Sequence, residues 1–203
     1  QLYFWANDGT GSELWKSDGV PEGTVLVKDL YQFVTADGAN PTNFMAFQGK
    51  VYFKAEEYNS AAVYPIPFSF GRELYSSDGS AAGTGIVKDL RSPFHSDPVL
   101  LGTSSQYLFF QAFESLVAER ELYRTDGTAN GTVLVKDITP GGTGTSMYGM
   151  VGIGNTVWFA ANQPDGGGNV ELWESDGTPG GPALVKNTPH SSAMSRSALR
   201  SGS

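Results

Sequence analysis

"ELWKSDGVPEGTVLVKDL" (residues 13–30) places a Glu, an Asp-Gly turn, an aromatic and a Lys-Asp pair within one short stretch. Taken alone it has the content of a catalytic cluster. It recurs, however, as "ELYSSDGSAAGTGIVKDL" (73–90), "ELYRTDGTANGTVLVKDI" (121–138) and "ELWESDGTPGGPALVKNT" (171–188). The glutamates Glu13, Glu73, Glu121 and Glu171 are separated by 60, 48 and 50 residues. Asp18, Asp78, Asp126 and Asp176 each follow their Glu by five positions, and Lys28, Lys88, Lys136 and Lys186 by fifteen. A self-similar period of this size is the signature of a repeat architecture.

Ahead of each copy lies a short aromatic and β-branched run: "LYFWA" (2–6), "VYFKA" (51–55), "LFFQA" (108–112) and "VWFAA" (157–161). Such runs favour strands. The motif itself reads as a hairpin around its Asp-Gly connection. A further apolar segment precedes the run as "NFMAF", "PVLLG" and "MYGMVGI". Four short strands per repeat, with no long helical periodicity, predict an all-β fold, a four-bladed β-propeller of ~50-residue repeats. The expected arrangement is a single domain over 1–203, with blades near 41–90, 98–138 and 146–187. A fourth blade combines 191–203 with 1–30, so the C-terminal strand pairs with the N-terminal blade, closes the ring and covers its edge.

These motifs resemble the ELWxxDGT repeat family, the hyalin-like, propeller-type repeats of bacterial and invertebrate proteins. The resemblance covers all four units. Tyr75 and Tyr123 replace the Trp of the consensus, Val20 and Ser80 its Thr, and the last unit carries Pro182 and Asn187 in place of Thr and Asp. It implies a secreted, extracellular module and transfers no catalytic residues.

Composition narrows the remaining classes. Thirteen Lys and Arg against 21 Asp and Glu leave a net charge of −8, which disfavours nucleic acid as a partner. With no cysteine, disulfide frameworks, thiolate zinc sites and cysteine nucleophiles are excluded. No apolar run reaches the roughly 18 residues of a membrane span. The start at Gln1, directly in a strand-like segment, reads as a processed chain or an excised fragment.

An active site is ordinarily unique, so fourfold repetition assigns the Glu, Asp and Lys to architecture. In the simplest hairpin register Ser17 faces Thr24 across the turn, Trp15 faces Leu26 and Glu13 faces Lys28, giving a cross-strand ion pair. Asp18 caps its own turn and Gly19 supplies the permissive backbone. No catalytic, cofactor or metal residues are expected, although a structural ion in a central channel is compatible with the fold.

Unrepeated features carry the functional expectations. The insertion "EEYNSAAVYPIPFSFGR" (56–72) makes the second unit longer and presents Tyr58, Tyr64, Phe68 and Phe70 as partner or glycan contacts. His95 and His190, each followed by Ser, lie in inter-blade connections, where an exposed Ser-His pair could condense a mineral precursor. "TADGANP" (35–41) and "PDGGGN" (164–169) read as turns, since they lack the ordered acidic alternation of a calcium loop. The expected role is a non-catalytic matrix, filament or assembly module, associated with mineral and partnered by itself or other matrix proteins. A carbohydrate-binding propeller is the alternative. A hydrolase ranks last, because the G-x-S-x-G elbow is missing.

Overall fold

A computed structural model describes residues 1–9, 11–30, 38–56, 72–91, 94–113, 120–140, 144–162 and 170–186. All regular structure among them is β, apart from one turn of 3-10 helix at Pro21–Gly23. The first unit contains β1 (Leu2–Asn7), β2 (Ser12–Ser17) and β3 (Val25–Lys28). The second contains β4 (Thr42–Phe47), β5 (Lys50–Glu56), β6 (Arg72–Ser77) and β7 (Gly85–Lys88). The third contains β8 (Val99–Thr103), β9 (Leu108–Phe113), β10 (Arg120–Thr125) and β11 (Val133–Lys136). The fourth contains β12 (Met147–Ile153), β13 (Thr156–Asn162), β14 (Val170–Ser175) and β15 (Ala183–Lys186).

Each unit is one antiparallel sheet with its strands in chain order: three strands in the first, four in each of the others. Between β4 and β5 the turn is Gln48-Gly49, and both residues have positive φ (46° and 76°), the backbone that a two-residue hairpin matched to strand twist requires.

The sheets stack face to face and bury their apolar faces between them. Leu14 and Val27 of the first unit pack with Val51, Phe53, Ala55 and Tyr75 of the second. Tyr52, Leu74 and Val87 of the second meet Leu108, Phe110, Ala112 and Tyr123 of the third. Phe109, Leu122 and Val135 of the third meet Val157, Phe159, Ala161 and Trp173 of the fourth. The core is therefore three equivalent layers, each filled by the period-2 alternation of two neighbouring sheets. The backbones come very close at β8 and β12, where a Cβ on Gly152 would stand 1.8 Å from the Thr103 carbonyl oxygen. Only glycine fits there.

Residues 191–203, assigned from sequence to the ring-closing strand, lie outside the described residues. So do the insertion residues Tyr58, Tyr64, Phe68 and Phe70, together with His190 and the side chain of Lys186. Residues 35–37 of "TADGANP" and all of "PDGGGN" lie outside as well. No helix among the described residues is long and apolar enough to cross a membrane.

Candidate functional site

The repeated Glu and Lys do not stand opposite each other in the strand register. In every unit a β-bulge falls just after the first Leu of the motif strand, between Leu14 and Trp15, Leu74 and Tyr75, Leu122 and Tyr123, and Leu172 and Trp173. Trp15 does lie opposite Leu26, but the extra residue, Val27, moves Lys28 opposite Leu14 rather than Glu13. This corrects the expected Glu–Lys cross-strand pair. A bulge adds one residue on one strand and shifts every later partner by one.

Freed from each other, the two residues serve different joints. Glu13 is buried, and its carboxylate accepts hydrogen bonds from the backbone N–H groups of Leu30 (2.8 Å) and Ala39 (3.1 Å). Both donors belong to the link leading to the next sheet. Buried Glu73 accepts from the Ser96 N–H (2.7 Å) and the Ser96 hydroxyl (2.5 Å) in the equivalent link, and buried Glu121 accepts from the Ile138 N–H at 3.3 Å. Glu171 is likewise buried. A link run over a protein surface must satisfy its amides, and one carboxylate does so for several donors at once. The cost is desolvation. Burial raises the Glu13 carboxyl against the lowering effect of its amide donors, and lifts that of Glu73 to about 7.

The lysines reach forward into the next unit. Lys28 Nζ donates to the Thr84 carbonyl (2.7 Å), Lys88 Nζ to that of Thr132 (2.8 Å) and Lys136 Nζ to that of Pro182 (2.8 Å). Because the acceptor is main chain, the Pro182 departure from the consensus Thr keeps this bond. What it forfeits is a hydroxyl contact. Ser77 and Thr84 pair at 2.6 Å, Thr125 and Thr132 at 2.7 Å, and Ser17 and Thr24 at 2.7 Å, pinning the two ends of each motif connection. The sequence reading set Ser17 opposite Thr24 but gave the two hydroxyls no bond. Its signal was legible, since Ser or Thr stands four positions after every Glu and Thr eleven after three of them.

The aspartates cap their turns. Asp78, Asp126 and Asp176 each accept from the backbone and hydroxyl of the residue two ahead, at 2.7–2.9 Å, while Asp18 accepts only the Val20 N–H at 3.2 Å because Val has no hydroxyl. Those hydroxyl and amide donors hold the Asp78, Asp126 and Asp176 carboxyls below the usual range. The following glycines have φ of 100°, 91°, 94° and 85° at Gly19, Gly79, Gly127 and Gly177. Three of them also receive a ring from the preceding unit. A Cβ would stand 2.7 Å from the Tyr3 hydroxyl at Gly79, 2.5 Å from that of Tyr52 at Gly127, and 2.7 Å from the Tyr107 ring at Gly177.

One unrepeated constellation lies where the second and third units join. Asp97 forms ion pairs with Lys54 (Nζ to Oδ1, 2.9 Å) and with Arg120. Burial works to raise its carboxyl, but Lys54, with Arg120 and Arg72 nearby, holds it below the usual range. The Arg120 guanidinium lies 4.5 Å from the Phe113 ring centroid, and Arg91 lies 5.5 Å from that of Phe94. At the same position the first junction has Asn40, so no such ion cluster forms there.

The His95–Ser96 pair does not face solvent together. His95 is exposed, whereas Ser96 is fully buried with its hydroxyl donated to Glu73. The exposed Ser-His pair expected from sequence is corrected accordingly. Ser96 is tied to the carboxylate that fastens the link. No group of three or more His, Asp or Glu suited to holding a metal occurs among the described residues.

No family model and no curated protein matches the chain. Among solved structures it is similar to a Mycobacterium tuberculosis puromycin-hydrolyzing peptidase, with a TM-score of 0.52 at 12% identity. The alignment covers 93% of this chain and 31% of that one, so this chain spans about a third of that protein's length. At this identity the likeness concerns the fold of the sheets.

Proposed function

We propose that the chain is a non-catalytic scaffold: consecutive β-propeller-type blades of the ELWxxDGT kind, serving an extracellular matrix or assembly protein. One observation carries the reading. The charged groups most often repeated in the sequence are spent on main-chain hydrogen bonds that fasten one sheet to the next: Glu13, Glu73 and Glu121 on the links, Lys28, Lys88 and Lys136 on the following unit. Groups so engaged serve cohesion along the stack, as repeat architectures require.

The rival reading is hydrolysis, suggested by the peptidase whose fold is similar over 31% of its length. The discriminating experiment offers the purified chain puromycin, aminoacyl and peptidyl amides, esters and glycosides. No turnover above background is expected. Turnover that vanishes in His95→Ala would overturn the scaffold reading. A carbohydrate-binding role would draw on the insertion at 56–72, and retention on a glycan array, lost when that insertion is shortened, would favour it.

A further inference from the structure

Four of the chain's 13 Lys and Arg gather where the second and third sheets join, although the net charge is −8. Three of them are met by carboxylates. Asp97 takes Lys54 and Arg120, and Glu56 takes Arg72 (Nε to Oε1, 2.8 Å). Arg91, the fourth, is not. Its main-chain N–H reaches Asp89 (3.0 Å), but its guanidinium has only the His95 carbonyl, 3.3 Å from Nη1. Its Nε has no hydrogen-bond partner among the described residues. Two rings flank that guanidinium, with centroids at 5.5 Å for Phe94 and 5.6 Å for Phe113, and Phe113 also carries Arg120. Phe94 is 46% exposed; between residues 38 and 140 the other exposed large apolar side chain among the described residues is Ile86. The set is not repeated. Arg91 stands where the other units have Tyr31, Thr139 and Pro189, and Lys54 where they have Trp5, Gln111 and Ala160. A demand of the architecture common to every junction would recur.

We propose that this junction binds an acidic polysaccharide, with the Arg91 guanidinium holding a uronate carboxylate and the Phe94 ring receiving the face of the sugar. A guanidinium is a planar fork that matches a carboxylate through two parallel hydrogen bonds. The flanking rings hold it in one orientation, so little freedom is lost when a ligand arrives. The C–H face of a pyranose is slightly positive and suits the negative face of a phenyl ring. Arg72, whose side chain is 52% exposed, adds positive potential beside Asp97. Charge spacing selects among polyanions. Duplex DNA carries one charge per about 1.7 Å and is repelled by a chain at −8, whereas a polyuronate carries one charge per sugar, which a single open guanidinium matches. An acidic peptide offers the carboxylate without the flat C–H face. The inference adds a partner to the scaffold reading and does not depend on it.

Isothermal titration calorimetry on the full chain tests it, with three probes at low ionic strength: a galacturonic acid oligomer, its fully methyl-esterified counterpart and an oligoglutamate of equal charge. The uronate should bind, less tightly as salt is added, and the other two at least about tenfold more weakly. Arg91→Met should weaken uronate binding by about tenfold or more, through loss of the charged donor. Phe94→Ala should weaken it by about threefold, through loss of the ring. Circular dichroism checks both variants, and Phe94→Ala, at an exposed position, keeps the test open if Arg91→Met disturbs the link. Failure of the uronate to bind, an ester that binds as well as the acid, an oligoglutamate that binds as tightly, or affinity unchanged in both variants would each overturn the proposal. Absence of uronate binding sinks this inference alone; turnover of a hydrolase substrate sinks the scaffold reading and leaves the binding result standing.

Discussion

Glu73 offers the sharpest test of how the links are fastened. Its carboxyl is buried against Ser96, and burial outweighs the lowering effect of the Ser96 hydroxyl and amide, so it ionises near 7 in the folded chain against 4.5 ordinarily. Between those values the folded state holds a proton that the unfolded state has released. The contribution of Glu73 to stability is therefore greatest below about pH 4.5, falls as pH rises through the window, and levels off above about pH 7. At about 1.4 kcal/mol per pH unit, the full span amounts to about 3 kcal/mol. Glu73→Gln removes the titration while keeping an amide oxygen for the Ser96 N–H. The measurement is urea unfolding, followed by tryptophan fluorescence, in half-unit steps from about pH 4.5 to about pH 7.5. The wild-type chain should lose stability across that range relative to the variant, and the difference between the two should change by about 3 kcal/mol. Parallel profiles for the two proteins would refute the assignment. So would a wild-type chain that gains on the variant with rising pH.

Two further substitutions probe the joints between units. Lys88→Met removes the charged donor to the Thr132 carbonyl and should cost about 1.5–3 kcal/mol, the range for a hydrogen bond from a charged group. Combined with Glu73→Gln it should be additive within about 0.5 kcal/mol, since the two side chains share no partner; coupling well above that in a double-mutant cycle would restore the discarded ion pair. Gly127→Ala must accommodate both φ of 94° and a methyl 2.5 Å from the Tyr52 hydroxyl, whereas Gly19→Ala at φ 100° meets no neighbour. Thermal unfolding should find Gly127→Ala the more damaging by on the order of 1 kcal/mol, and equal losses would count against the tyrosine contact.

Much of this was legible in the sequence, and the reasons are local. Strands follow from aromatic and β-branched runs such as "VYFKA", whose alternation places Val51, Phe53 and Ala55 on one face. Turns follow from Asp-Gly pairs whose backbone only glycine adopts readily. The Ser/Thr pair across the motif connection of the first three units was equally written in the spacing, and the placement of Ser17 opposite Thr24 was legible there; that the two hydroxyls bond each other was not read. The partners of Glu13 and Lys28 could not be read in this way. A bulge at Val27 shifts their register by one, and nothing in "TVLVKDL" distinguishes a bulged strand from a regular one.

The sequence by itself determined the repeat, the strands, the turns and the period-2 faces, because each depends on residues close together in the chain. Only the tertiary structure decided where the charges go, since Lys28 reaches Thr84 and Glu73 reaches Ser96 through contacts that exist only once the sheets are stacked. The same stacking separates otherwise equivalent residues. Leu122 and Leu172 have the same place in the repeat, yet one is sealed by the next sheet and the other is 46% exposed. A repeat specifies its own face; burial depends on the neighbour.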